Sequence, residues 1–217
     1  MSTRSFRDRY AGALGSVAGN NSAPEPAPNW PLPRDGRPSR NTEGECVVSD
    51  RVYAGPEIAE AIEGFRSCRI ADGLRFTDAG DMIFLDTETT GLSGGTGTHV
   101  FLVGIGRFTG DALHVRQFFM RHPGDERALL AALASDIAEI GALVTYNGRS
   151  FDVPLLETRY RIHGQAFASP EQHIDLLSPA RAIWKHRLPS CSLGTIERMV
   201  LGVERELDAP GWLIPQL

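Results

Sequence analysis

Between Asp81 and Tyr146 the chain alternates short apolar runs with polar or glycine-rich breaks. Met82-Ile83-Phe84-Leu85 is an apolar run that stops at Asp86, the signature of a buried strand. Residues 100–108 and 112–119 predict two more strands, and Thr109-Gly110-Asp111 between them is hairpin-turn material. Along residues 126–140, Leu129, Leu130, Leu133, Ile137 and Ile140 fall on one helical face, which predicts a helix packed on the core. Residues 142–146 predict a fourth strand, 151–163 a second helix and 174–176 a short fifth strand. Residues 177–185 and 192–201 predict further helices. Upstream, residues 46–53 predict a short strand and residues 56–65 a helix with Pro56 in its first turn.

Three consecutive strands followed by alternation of helix and strand predict an α/β fold. Its mixed sheet would have about five strands, an antiparallel meander continuing into parallel strands, flanked by helices. The organisation expected is a disordered segment over 1–45, a lead-in strand and helix over 46–80, and one domain over 81–217. The first segment is rich in Pro, Gly and Asn and too poor in apolar side chains to offset its ordering entropy. No apolar run is long enough for a membrane span, and the first 20 residues contain no apolar signal core. Cys46, Cys68 and Cys191 form no paired motif, which points to reduced thiols, neither a zinc site nor a disulfide framework, and a cytoplasmic protein. The net charge of −5 argues against coating nucleic acid by bulk charge, and predicts weak nucleic-acid binding without divalent cations.

The acidic residues become informative when placed on these elements. In Asp86-Thr87-Glu88-Thr89-Thr90-Gly91-Leu92, side chains two apart on a strand share a face, so Asp86 and Glu88 project together beyond the apolar run. Two such carboxylates repel unless a cation lies between them, and a hard ion with oxygen ligands, Mg²⁺ or Mn²⁺, suits them. A pair of solvated acids at a strand end is the plainer alternative. Tyr146-Asn147-Gly148-Arg149-Ser150-Phe151-Asp152 follows the fourth strand and opens a helix. A strand end followed by a helix is where α/β sheets place ligands, so Asp152 is expected at the same sheet edge as Asp86. Helix-dipole stabilisation of Asp152 and ordinary turn chemistry at Asn147-Gly148 are the plainer accounts of this segment taken alone.

Taken together, these segments resemble the DEDD-type 3′→5′ exonucleases of the ribonuclease H-like superfamily. The Asp86-Thr87-Glu88 stretch resembles their first motif, and Asn147 through Phe151-Asp152 their second. Asp175-Leu176-Leu177 with Ala180-Arg181 resembles the stretch after it. Ser93-Gly94-Gly95-Thr96-Gly97-Thr98-His99 and the strand after it look most like the YprB-like branch. The resemblance implies a ribonuclease H-like fold and two-metal hydrolysis at the 3′ end of single-stranded DNA or RNA. By that analogy Asp86 bridges two Mg²⁺ or Mn²⁺ ions, Glu88 completes the first ion's shell, and Asp152 holds the second. Thr87, Thr89, Gly91, Leu92, Asn147 and Phe151 would contact substrate. The third motif, a final Asp with a nearby His, has no counterpart before Leu217, so a chain truncated ahead of that motif is expected. A ribonuclease H-like module that binds nucleic acid without cutting it is the alternative, and structure-specific endonuclease cutting is a third reading. Among weaker candidates, His99 and Tyr146 are expected to be structural and Asp175 to orient a loop. Arg181, Lys185, His186 and Arg187 are expected to form a solvated charged face.

Overall fold

The computed structural model describes residues 35–67, 79–91, 97–138 and 140–204. One sheet organises them: β1 (Arg37–Asn41), β2 (Gly44–Ala54), β3 (Met82–Thr89), β4 (Val100–Thr109), β5 (Ala112–Phe119), β6 (Ala142–Thr145) and β7 (Gln172–Asp175). Their spatial order is β1-β2-β5-β4-β3-β6-β7. The strands from β1 through β3 pair antiparallel with their neighbours, and β3, β6 and β7 run parallel. Helices α1 (Pro56–Ser67), α2 (Glu126–Ile137), α3 (Asp152–Ile162), α4 (Leu177–Trp184) and the short α5 (Leu193–Ile196), 3-10 turns over Ala79–Asp81 and Pro123–Asp125, and a π-helical turn over Glu197–Leu201 complete the described elements. The expected mixed sheet flanked by helices is present, with seven strands where the apolar runs predicted about five.

Strand alternation divides the core. Ile83 and Leu85 of β3 join Val103, Ile105 and Phe118 beneath Leu129, Leu130 and Leu133 of α2 and Val153, Leu156 and Tyr160 of α3. On the opposite face Met82, Phe108, Ala142, Val144 and Ile174 pack with Ile62 of α1, and Phe84 lies against them. Both faces of β3 and β6 are therefore covered, which explains why these strands read as continuous apolar runs. Gly110 has φ 59 in the two-residue loop between β4 and β5. That is the conformation that lets a glycine-first hairpin loop follow the twist of its strands.

The additional strands correct the expectation of disorder over 1–45. Arg37–Asn41 form β1 and residues 44–45 begin β2, which extends the sheet beyond β5 with Val47 opposite Phe119. β1 reads Arg-Pro-Ser-Arg-Asn and carries no apolar pattern. It is held instead by its ladder with β2 and by ion pairs, Arg37 with Asp50 and Arg40 with Glu45. Pro38 is tolerated because β1 is an edge strand. Residues 1–34 lie outside the described residues. The expected helix over 126–140 ends at Ile137, although Ile140 stays buried. Among the described residues no helix is long and apolar enough to cross a membrane. Cys46 and Cys191 are free thiols, and Cys68 lies outside the described residues.

Candidate active site

The ladder between β3 and β6 covers only Met82–Phe84 against Ala142–Val144, whereas β3 continues to Thr89. Past Phe84 the strand keeps β4 on one side, with Asp86 opposite Gly104 and Glu88 opposite Leu102, and loses its neighbour on the other. A bulge follows at Glu88/Thr89. Asp86 and Glu88 thus sit on the strand itself, where the apolar run had suggested it ends. They share the face of Met82 and Phe84, while Thr87 follows Ile83 and Leu85 to the face of α3. Asp86 is exposed and Glu88 half-buried.

The loop after β6 is shaped by two tight constraints. Gly148 lies so close to Thr145 that a Cβ there would come within 2.5 Å of the threonine Cβ, which only glycine avoids. Asn147 has φ 68, a left-handed conformation that asparagine tolerates better than most residues. The Asp175 carboxylate pins this loop: Oδ1 accepts from the Asn147 amide (2.7 Å) and Oδ2 from the Arg149 amide (3.0 Å). The Leu177 amide adds a third bond at 3.0 Å. Asp175 therefore orients the loop.

Asp152 opens α3 and is only 8% exposed. Its Oδ1 accepts from the Thr87 hydroxyl at 2.5 Å. Burial raises the Asp152 pKa above the ordinary aspartate value, with Asp175 adding to the rise and the Thr87 hydrogen bond opposing it. Asp152 reaches the same sheet edge as Asp86 and Glu88, but through Thr87, on the other face of β3. Among the described residues no group of three or more His, Cys, Asp or Glu side chains stands together in a way that could hold a metal ion. Asp86 and Glu88 fit one hard cation completed by water, since Mg²⁺ is commonly held by one or two carboxylates.

The raised pKa has a direct consequence in metal-free protein. Burial favours the protonated acid in the folded state, so stability from this group is fully present below the unfolded aspartate pKa. It is lost as pH rises through the higher folded value. Asp152→Asn keeps an acceptor for Thr87 and removes the charge. It is expected to raise Tm by a few degrees at neutral pH in EDTA and to leave it unchanged below the ordinary carboxylate range. Melting curves at the two pH values test this, and a variant no more stable at neutral pH would show that the buried charge is cost-free.

The remaining candidates fall around this edge. Thr89 Oγ1 donates to the Gly91 carbonyl (2.9 Å), turning the chain off the strand. The Thr90 amide donates to the His99 carbonyl and the His99 amide to Thr90 Oγ1, closing the base of the glycine-rich loop. Residues 92–96, Leu92 among them, lie outside the described residues. Phe151 is 60% exposed although it directly precedes buried Asp152. Tyr146 is structural: its hydroxyl donates to the Cys191 carbonyl at 2.6 Å. Arg181, Lys185, His186 and Arg187 are all exposed.

Apolar patterning missed one cluster. Glu126 at the start of α2 is fully buried and forms an ion pair with Arg159 of α3, which is 3% exposed. His163 Nε2 lies 2.9 Å from Glu126 Oε2, and His99 Nδ1 lies 3.0 Å from an Arg159 nitrogen. The signal was legible at Arg159, which stands three residues after Leu156 and one before Tyr160, on the buried face of the helix.

A family profile described as the RNase H superfamily matches residues 83–217. The chain belongs to the RNase H superfamily. It is similar to the uncharacterized protein YprB of Bacillus subtilis (strain 168), with 39% identity over 181 residues. That match takes in 81% of this chain and 44% of YprB, so the chain spans less than half the length of this curated relative. Two solved structures of Brucella melitensis NrnC are also similar, each at 21% identity and over 64% of this chain. The structure bound to pGG matches with a TM-score of 0.38 over 62% of its chain. The structure with bound Mg²⁺ matches with a TM-score of 0.39 over 63%.

Proposed function

We propose that this RNase H superfamily domain hydrolyses phosphodiester bonds at nucleic-acid 3′ ends with the help of divalent metal. The observation that carries this reading is the placement of Asp86 and Glu88. They lie side by side on the stretch of β3 that runs past the end of β6. Asp86, Glu88 and Asp152 are its proposed carboxylates, and Mg²⁺ or Mn²⁺, two ions in full, its cofactor. When bound, such ions lower the pKa of attacking water and stabilise the leaving oxygen.

The chain's own residues do the rest. Asp86 and Glu88 supply hard oxygen ligands from the stretch of β3 that runs past the end of β6. Asp152, held against Thr87, fixes from the loop side the strand position between those two acids. Asn147 and Gly148 shape that loop, while Thr89 and Gly91 turn the chain away from the edge so that a substrate end can approach. Exposed Phe151 offers a flat apolar surface for stacking an unpaired base, and Leu92 completes the proposed substrate contacts.

The test is a gel assay with 5′-labelled single-stranded DNA and RNA in Mg²⁺, Mn²⁺ or EDTA. A metal-dependent ladder shortening from the 3′ end is expected. Shortening that persists in EDTA, or products cut only internally, would overturn the assignment. The engagement of Asp152 with Thr87 favours a second reading, a module that binds nucleic acid without cutting it. Binding without any cleavage under all three conditions would select it.

A further inference from the structure

A second constellation lies along the same sheet edge. Where the loop after β6 meets α4, a surface pocket of about 150 Å³ is lined by Asn147, Arg149, Ser150, Asp175, Leu177, Ser178 and Arg181. Both arginines are exposed, and neither has a carboxylate partner among the described residues. This sets them apart from the arginines of β1, β2 and β5. Arg37 pairs with Asp50, Arg40 with Glu45, Arg51 with Asp35, and Arg116 with Asp136. Arg149 uses one nitrogen to donate to the His173 carbonyl (2.6 Å), which ties its guanidinium to β7. The pocket's one acid, Asp175, has both oxygens on backbone amides, so its charge is already met locally. The hydroxyls of Ser150 and Ser178 have no hydrogen-bond partner among the described residues.

Two guanidinium groups and two hydroxyls around one small pocket are a donor set for an anion that only accepts hydrogen bonds. A phosphate is such an anion, and arginine's planar fork matches its oxygens. The chain as a whole is acidic, with net charge −5, so a polyanion is drawn to this edge by local charge and not by bulk charge. The pocket sits at the carboxyl ends of β6 and β7, and β7 lies two strands from β3, about 10 Å across the sheet. From these observations we infer that the Arg149–Arg181 pocket is a subsite for a backbone phosphate of the nucleic acid whose reacting end lies at Asp86 and Glu88. The inference rests on the proposed function for its substrate. Arg149 and Arg181 hold the strand in register and take no part in bond cleavage.

The test measures binding without cleavage. A fluorescein-labelled single-stranded oligonucleotide is titrated in EDTA at several salt concentrations with the unaltered chain, Arg149→Gln, Arg181→Gln and the control Arg40→Gln. The control removes the same charge from the far edge strand. Each pocket variant is expected to bind about tenfold more weakly, the scale of one lost charge-assisted hydrogen bond. Each should also lower the slope of log affinity against log salt by about 0.7. Arg40→Gln should match the unaltered chain. Equal affinities and slopes across all four proteins, or no binding by the unaltered chain at low salt, would overturn the inference. A parallel titration with a nucleoside 5′-monophosphate and with inorganic phosphate separates the sources. If the pocket variants lose only these and keep the oligonucleotide, the backbone assignment is overturned. Because no cleavage occurs in EDTA, an inactive chain that shows the expected binding losses would sink the exonuclease reading and leave the subsite standing.

Discussion

Replacing Arg159 with alanine is expected to destabilise the protein by about 3–5 kcal/mol, because it strands Glu126 as an uncompensated charge in the core. Glu126 has no exposed surface, and Arg159 is its main partner, with Nε donating to Oε1 at 2.8 Å and a terminal nitrogen pairing with Oε2. Burial by itself pushes the Glu126 pKa up. The hydrogen bonds from Arg159 and His163, together with the nearby charges of Arg159 and His99, more than offset it, so the net shift is downward. A carboxylate with a depressed folded pKa contributes stability that is present above its unfolded pKa. That contribution is lost as pH falls through the folded value. The variant removes the largest of the favourable contributions, so its loss is greatest at neutral pH and shrinks in acid. The helices joined by this pair, α2 and α3, cover the same face of the sheet. Urea denaturation of the unaltered and variant chains at neutral pH gives the number directly. The double variant Arg159→Met, Glu126→Leu provides the discriminating comparison. Apolar replacement of both partners is close to neutral for many buried pairs, so it should recover most of the loss. A single variant that costs less than about 1 kcal/mol would mean that His99 and His163 suffice to hold Glu126.

Which parts of this molecule the amino-acid pattern discloses follows from what each part is held by. β3, β4, β5 and β6 are legible because burial writes itself into the chain as apolar runs, whereas β7, Gln-His-Ile-Asp, buries only Ile174. The hairpin at Gly110 is legible because it needs glycine. β1 is not legible: its residues contribute ladder bonds and ion pairs, and neither leaves a periodic trace. The same distinction runs through the candidate site. The Asp86/Glu88 spacing is a property of one strand and can be read locally. That β3 outruns β6, or that Thr87 turns to α3 and donates its hydroxyl to the Asp152 carboxylate, depends on where a second strand stops and a helix begins. The sequence could not show on which side of the strand the Asp152 carboxylate lies. Glu126 and Arg159 stand 33 positions apart, so their pairing leaves no local trace, although Arg159 falls on the buried face of its helix.

Asp86→Asn is expected to lower the rate of metal-dependent 3′ trimming by about three orders of magnitude or more while leaving the fold intact. A metal ion supplies several kcal/mol of transition-state stabilisation, and about 4 kcal/mol corresponds to roughly a thousandfold in rate. The side chain is exposed, and asparagine is nearly isosteric with aspartate, so the expected change in metal-free stability is within about 0.5 kcal/mol. Its direction should be upward if anything, since two like charges on one strand face repel and the variant removes one of them. The readout independent of cleavage is thermal stability with added Mn²⁺ or Mg²⁺. A ligand that binds only the folded state adds about 2.7 kcal/mol at a hundredfold excess over its Kd. The unaltered chain should show that metal-induced rise in Tm, and Asp86→Asn should lose most of it. Glu88→Gln should behave in the same way, because the two side chains share one face of β3. Leaving Asp152 in place in both variants separates the strand pair from the loop acid. If Asp86→Asn keeps both the metal-induced rise and the trimming rate, the Asp86–Glu88 pair is a solvated surface feature and the metal centre lies elsewhere. If the rise is lost in the variant but the unaltered chain never trims, the pair binds metal and the domain holds nucleic acid without cutting it. A lost rise together with a lost ladder ties the cation, the two strand carboxylates and the chemistry to the one stretch of β3 that β6 leaves open.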